Sequence, residues 1–106
     1  MDLDLGSLRS VDAFVDRFTA SYDSLSVLVA NAGIITGDYS ETSDGVEITW
    51  GVNNVGHHAL VEQLLPTMRS TSGGARVVVV SSHGHDLFIP AAMFVHRRKT
   101  RVYGLK

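Results

Sequence analysis

Leu8, Val11, Phe14, Val15, Phe18 and Tyr22 recur at steps of three and four residues, while Arg9, Asp12, Asp16 and Arg17 fill the positions between them. That spacing gathers the apolar groups on one side of a helix, and it predicts a helix from about Leu8 to Tyr22 with Ser7 as its N-cap. In the following "LSVLVANAG", Val27-Leu28-Val29-Ala30 is apolar at every position. This is the pattern of a parallel strand covered by helices on each side. The stretch from Gly33 to Gly45 is polar and turn-forming, so it reads as a surface loop. Val46, Trp50, Val52, Val55, Leu60, Val61, Leu64, Leu65 and Met68 then predict one long helix from about Gly45 to Arg69, which Pro66 bends or ends. "STSGGA" breaks the chain, and "RVVVVSS" predicts a second buried strand with two hydroxyls at its carboxyl end.

The order helix, strand, helix, strand is that of an α/β protein. Buried strands joined through helices pair in parallel with right-handed crossovers, which predicts a partial Rossmann-like, doubly wound parallel sheet. In such sheets ligands bind beyond the carboxyl ends of the strands, where "NAG" and "SS" both stand. After His85 neither periodicity holds, apart from a short apolar turn at Ala91 to Val95. The chain therefore divides into a Rossmann-like domain over 1–85 and an irregular basic tail over 86–106. There is no internal repeat.

Composition narrows this picture only a little. With 106 residues, 44% hydrophobic, there is room for one modest core. There is no cysteine, hence no disulfide framework and no thiolate zinc site. The apolar runs fall far short of the ~18 residues that cross a bilayer, and "MDLDLGS" lacks the parts of a signal peptide, so a soluble, cytoplasmic protein without a membrane span is the default expectation. Net charge is -2, yet Arg97, Arg98, Lys99, Arg101 and Lys106 crowd the end of the chain. With no aromatic platform or binding motif beside it, this run reads as a solvated tail rather than a nucleic-acid surface.

The chain closes on "RVYGLK", which sets Tyr103 three residues before Lys106. A phenol beside an ammonium group is one route to an acid-base catalyst, because nearby positive charge favours the phenolate. Here the sequence resembles the short-chain dehydrogenases/reductases, and most closely the branch that includes retinol dehydrogenases. The resemblance rests on "LDLGSLRSV", "LVANAG", "DGVEITWGVNNVGHHALVEQLLP" and "RVVVVSSHGH", in the family's order, and covers Leu3 to His85.

The resemblance implies a nicotinamide cofactor, NAD or NADP, and a small-molecule carbonyl or alcohol substrate. On the cofactor side, Asp4 matches the residue that caps the adenine, and Asn31, Ala32 and Gly33 match the turn that shapes the adenosine side of the cleft. On the catalytic side, Asn53 matches the Asn that holds a water linking the proton relay to solvent. Ser82 matches the Ser that polarises the substrate carbonyl, while Ser81 is expected to face elsewhere because side chains alternate along a strand. Tyr103 matches the proton carrier and Lys106 its lysine partner, one residue nearer than the family's spacing; on a helix either spacing returns to the same face. His57-His58 and His83-x-His85 have spacings that suggest a metal, but no carboxylate cluster completes a ligand set, and no metal is expected.

The departures from the family are a missing Gly-rich pyrophosphate turn, for which Gly33-x-x-x-Gly37 cannot stand in, and missing segments after Tyr103. Two readings follow: a partial NAD(P)-dependent short-chain oxidoreductase, expected to be inactive in isolation, or a non-catalytic remnant serving as an interaction module. The helix over 45–69 would be the contact element of a homo-oligomer.

Overall fold

The fold was obtained as a computed structural model, which describes residues 1–82. Helix α1 runs from Leu8 to Ser21, one residue short of the expected end. Ser7 is its N-cap: the backbone there is extended, and the hydroxyl accepts the Ser10 N–H. A second cap comes from far along the chain, since the Asp44 carboxylate accepts the Leu8 N–H at 2.9 Å. A carboxylate at this end both satisfies an open donor and meets the positive end of the helix dipole.

Strand β1 (Val27–Ala30) leads through the loop over 31–47 to a helical rod over 48–69. The rod starts at Ile48 rather than Gly45 because Thr42 to Val46 form a turn, in which the Gly45 N–H donates to the Thr42 carbonyl and Gly45 has φ +75°. Helix α2 (Ile48–Trp50) passes into a π-helical segment (Gly51–Gly56) and then into α3 (His57–Arg69). The backbone stays in the right-handed helical region at Trp50, Gly51, Gly56 and His57, so the rod is unbroken. Its buried residues are Gly51, Gly56, Leu60, Leu64 and Met68. The first step is five residues and the rest are four, which is the extra residue of a π turn written into the burial pattern. Pro66 does not end the helix, which continues to Arg69.

The rod's two ends are fixed by side chains. At the start, the Glu47 carboxylate accepts the N–H groups of Thr49 at 2.9 Å and Trp50 at 2.8 Å. The Trp50 and then the Thr49 N–H groups hold its carboxyl below the usual carboxylate range. A depressed pKa contributes stability that is present above the unfolded value and is lost as pH falls through the folded one. The stability advantage of the wild type over Glu47→Gln, read from urea midpoints, is therefore expected at neutral pH and should shrink as the pH is taken below the ordinary carboxylate range. At the other end, buried Thr71 accepts the Leu25 N–H and donates to the Thr67 carbonyl, both at 2.9 Å, which ties the rod to the entry of β1.

Strand β2 (Arg76–Val79) follows a turn at Gly73 and Gly74, which have φ values of 85° and 86°. It pairs in parallel with β1, Val27 opposite Arg76 and Ala30 opposite Val79. Helices α1 and α3 pack together over this pair. Val11 and Val15 meet Leu60 and Leu64, with Leu28, Phe14, Phe18 and Leu5 around them. Burial of Leu64 and Val11 side chains contributes about 1.5–3 kcal/mol each. Phe14 and Phe18 stack along α1, and the Tyr22 ring at its C-cap tilts against Phe18.

Two expectations about burial and one about winding are corrected. The strands were expected to be covered on both faces; Leu28 and Ala30 turn toward the helices, but Val27 and Val29 are 54% and 55% exposed, Val78 and Val80 lie open too, and Val79, opposite Ala30, is 68% exposed. Helices α1 and α3 pack on the Leu28 side, which leaves Val27, Val29 and Val78 open, and their core does not include Val79 at the end of β2. Trp50, expected on the apolar side of the rod, is exposed because the π turn rotates residues before Gly51 out of register with those after Gly56. The long helix over 45–69 is itself three windings rather than one.

Candidate functional site

β1 and β2 end side by side, and the chain leaving each borders one crevice of about 620 Å³. Its walls are the residues 30–35 after β1, the residues 79–82 at and after β2, and Asn53, Asn54 and His57 from the rod. This volume lies within the range of small-molecule sites, and the place is the one where parallel α/β sheets bind ligands.

Asn53 is the residue that joins these walls. Its Oδ1 accepts the Ile34 N–H at 2.9 Å, and its Nδ2 donates to the Ile34 carbonyl at 2.8 Å. Both ends of the carboxamide are thus committed to the backbone of one residue, and only one orientation of the amide serves both. The rod thereby grips the chain just beyond Asn31-Ala32-Gly33. A Cβ on Gly33 would come within 3.3 Å of Asn53 Oδ1, so the turn passes close to the carboxamide. This close approach at Gly33 keeps the backbone open to the crevice.

Asn31, Ala32, Gly33, Asn53 and Ser82 all border the crevice. Ser81 borders it as well, contrary to the expectation that it faces elsewhere: β2 stops at Val79, so strand alternation no longer governs the two serines. Asp4 is not among the lining residues. Its carboxylate accepts the Gly6 N–H at 2.8 Å and its N–H donates to Ser10 Oγ at 2.9 Å, which shapes the turn into α1. Tyr103, Lys106, His83, His85 and the division at residue 85 lie outside the described residues.

Two participants were not visible in the sequence. Ile34 takes part through its backbone alone, 19 residues from Asn53. His57 borders the crevice and turns its ring Nδ1 to the Val52 carbonyl at 3.0 Å, while His58 is exposed. Among the described residues no three of His, Cys, Asp and Glu are grouped as metal ligands, and no helix is long and apolar enough to cross a membrane.

Residues 1–94 match the family model described as short chain dehydrogenase. The WW domain-containing oxidoreductase of Gallus gallus is 48% identical over 85 residues, covering 80% of this chain and 20% of that protein. Retinol dehydrogenase 12 of Mus musculus is 43% identical over 83 residues, 78% of this chain and 26% of that one. Retinol dehydrogenase 14 of Homo sapiens is 47% identical over 81 residues, 76% of this chain and 24% of that one. A crystal structure of an uncharacterized protein from Mycobacterium paratuberculosis superimposes with a TM-score of 0.56 at 42% identity, over 63% of this chain and 24% of that chain. The chain spans about a fifth to a quarter of the length of these relatives.

Proposed function

From the premise that this chain belongs to the short chain dehydrogenase family, we propose that the crevice between the ends of β1 and β2 is part of the dinucleotide cleft of an NAD(P)-dependent oxidoreductase. The observation that carries this reading is the convergence of Asn31-Ala32-Gly33, Asn53 and Ser82 on one crevice at the carboxyl ends of paired parallel strands. The residues fit a dinucleotide in kind: small side chains at Ala32 and Gly33 let a ligand approach the backbone, and Asn31 offers both a donor and acceptors.

When bound, the nicotinamide supplies or takes up the hydride. The chain's own residues do the rest. Ser82 donates a hydrogen bond to the substrate carbonyl oxygen and favours the polarised form. Asn53 holds the wall of the crevice by gripping Ile34, and its part in a water-linked proton relay belongs to the same proposal. Tyr103 carries the proton to or from the oxygen, with Lys106 favouring the phenolate. Asp4 would act toward the adenine from the turn before α1. The substrate is a small carbonyl compound or alcohol, and retinoids enter only as the class named in the relatives.

Titration of the purified chain with NADH and with NADPH, followed by nicotinamide fluorescence and by calorimetry, tests this reading. Saturable binding with a Kd at or below about 1 mM, or about −4 kcal/mol, is the expected result. Silence with both dinucleotides at millimolar concentration would sink it. The alternative is an interaction module, favoured by the exposed valines Val27, Val29, Val78 and Val80 on the open side of the strand pair.

A further inference from the structure

We propose that His57 is a positioning residue for the crevice, whose ring holds the Val52 carbonyl and so fixes the π turn that carries Asn53 to Ile34. A π turn is uncommon and persists where its surroundings determine it. Here the turn lies between two α-helical stretches, so nothing in the general winding of the rod favours it. His57 acts on it twice. Its backbone N–H closes on the Asn54 carbonyl, and its ring Nδ1 lies 3.0 Å from the Val52 carbonyl oxygen. These two carbonyls belong to the residues on either side of Asn53, so one residue ties down both neighbours of the carboxamide that grips Ile34.

The chemistry of the contact fixes the state of the ring. A carbonyl oxygen only accepts, so Nδ1 must carry the proton and donate, which leaves Nε2 as the unprotonated acceptor in the neutral ring. The ring is half-buried and borders the crevice, whereas His58, its neighbour in sequence, is exposed. The two histidines therefore do not form a pair. An aromatic of the same shape without a donor would fill the space and leave the Val52 carbonyl without its side-chain partner. Asparagine would keep an N–H near the place of Nδ1. This inference deepens the dinucleotide-cleft reading but can be tested apart from it, because the Ile34 amide reports the Asn53 grip whether or not a dinucleotide binds.

The experiment is amide hydrogen exchange by NMR on the full chain, with His57→Phe and His57→Asn. In His57→Phe the Ile34 amide is expected to exchange about tenfold faster, the scale of one lost hydrogen bond, and in His57→Asn within about threefold of wild type. Amides of Val15 and Leu64, in α1 and α3, should be unchanged in both variants. Unchanged exchange at Ile34 in His57→Phe, equal acceleration in His57→Asn, or uniform acceleration at every amide of a folded His57→Phe overturns the proposal. Ring nitrogen shifts of the wild type, recorded where the imidazole is neutral, give an independent reading that holds even if a variant does not fold. A proton on Nδ1 is expected, and a proton on Nε2 overturns the proposal.

Discussion

Gly56→Ala is expected to destabilise the chain by about 3 kcal/mol or more, among the largest effects of overpacking a close contact. A Cβ built on Gly56 would lie 2.1 Å from the Leu5 carbonyl oxygen and 2.9 Å from the Leu5 carbonyl carbon. Both are backbone atoms, so no side chain can rotate away, and either the rod or the chain before α1 must shift. Such a shift would separate α3 from α1, which share the core of Val11, Val15, Leu60 and Leu64. Gly37→Ala is the control: nothing lies within 4 Å of its Cβ position, and its φ is not positive. There the loss of chain entropy in the unfolded state should leave stability unchanged or raised by a few tenths of a kcal/mol, about the size seen for compatible Gly→Ala changes. Urea unfolding of both variants decides the matter, and equal midpoints for Gly56→Ala and wild type would show that the helix does not sit on Leu5.

Asn53→Ala is expected to cost about 2 kcal/mol and to free the wall of the crevice. Two hydrogen bonds go at once, at 2.9 and 2.8 Å, and the half-buried Ile34 backbone keeps its donor and acceptor without the partner they had. Each net bond is worth about 1 kcal/mol, with more lost where the abandoned group stays away from water. Asn53→Asp should be at least as damaging, because an ionised carboxylate can still accept the Ile34 N–H but faces the Ile34 carbonyl with no proton to offer. Asn54→Ala should be near neutral, since Asn54 is exposed. The two neighbours thus separate a clamp from a surface amide. Thermal unfolding measures the first effect, and dinucleotide affinity in Asn53→Ala, which should fall, measures the second.

What could be read from the sequence was whatever repeats at short range. The period of Leu8, Val11, Val15 and Phe18 located α1, the Ser7 cap located its start, and the valine runs located both strands. Their side-by-side pairing followed from the order of elements. The missed features depend on contacts across long separations or on a change of winding. The grip of Asn53 on Ile34 joins chain segments that no pattern relates, and Asp44 reaches Leu8 across 36 residues. The π turn was hidden because two glycines, Gly51 and Gly56, stand at its buried positions and carry no hydropathy signal. A search for small residues five apart, leading into Leu60, Leu64 and Met68 at steps of four, would have found it. The open valine face escaped because a fully apolar strand reads as covered on both sides whatever the described residues place there.

The hold of Asp44 on the first turn of α1 bears on how this connection can tolerate insertions and deletions. Surface loops usually vary freely in length. Here the permissive part is the first half, around Gly37, where the surroundings are open. From Ser40 onward the segment is pinned at three places, by the Ile48 N–H on the Ser40 carbonyl, by the Thr42 N–H on the Val46 carbonyl and by Asp44 on Leu8. One residue added or removed in that second half would carry Asp44 off its helix, so length variation among related sequences belongs around Gly37, between the Ile34 clamp and Ser40, and not after it.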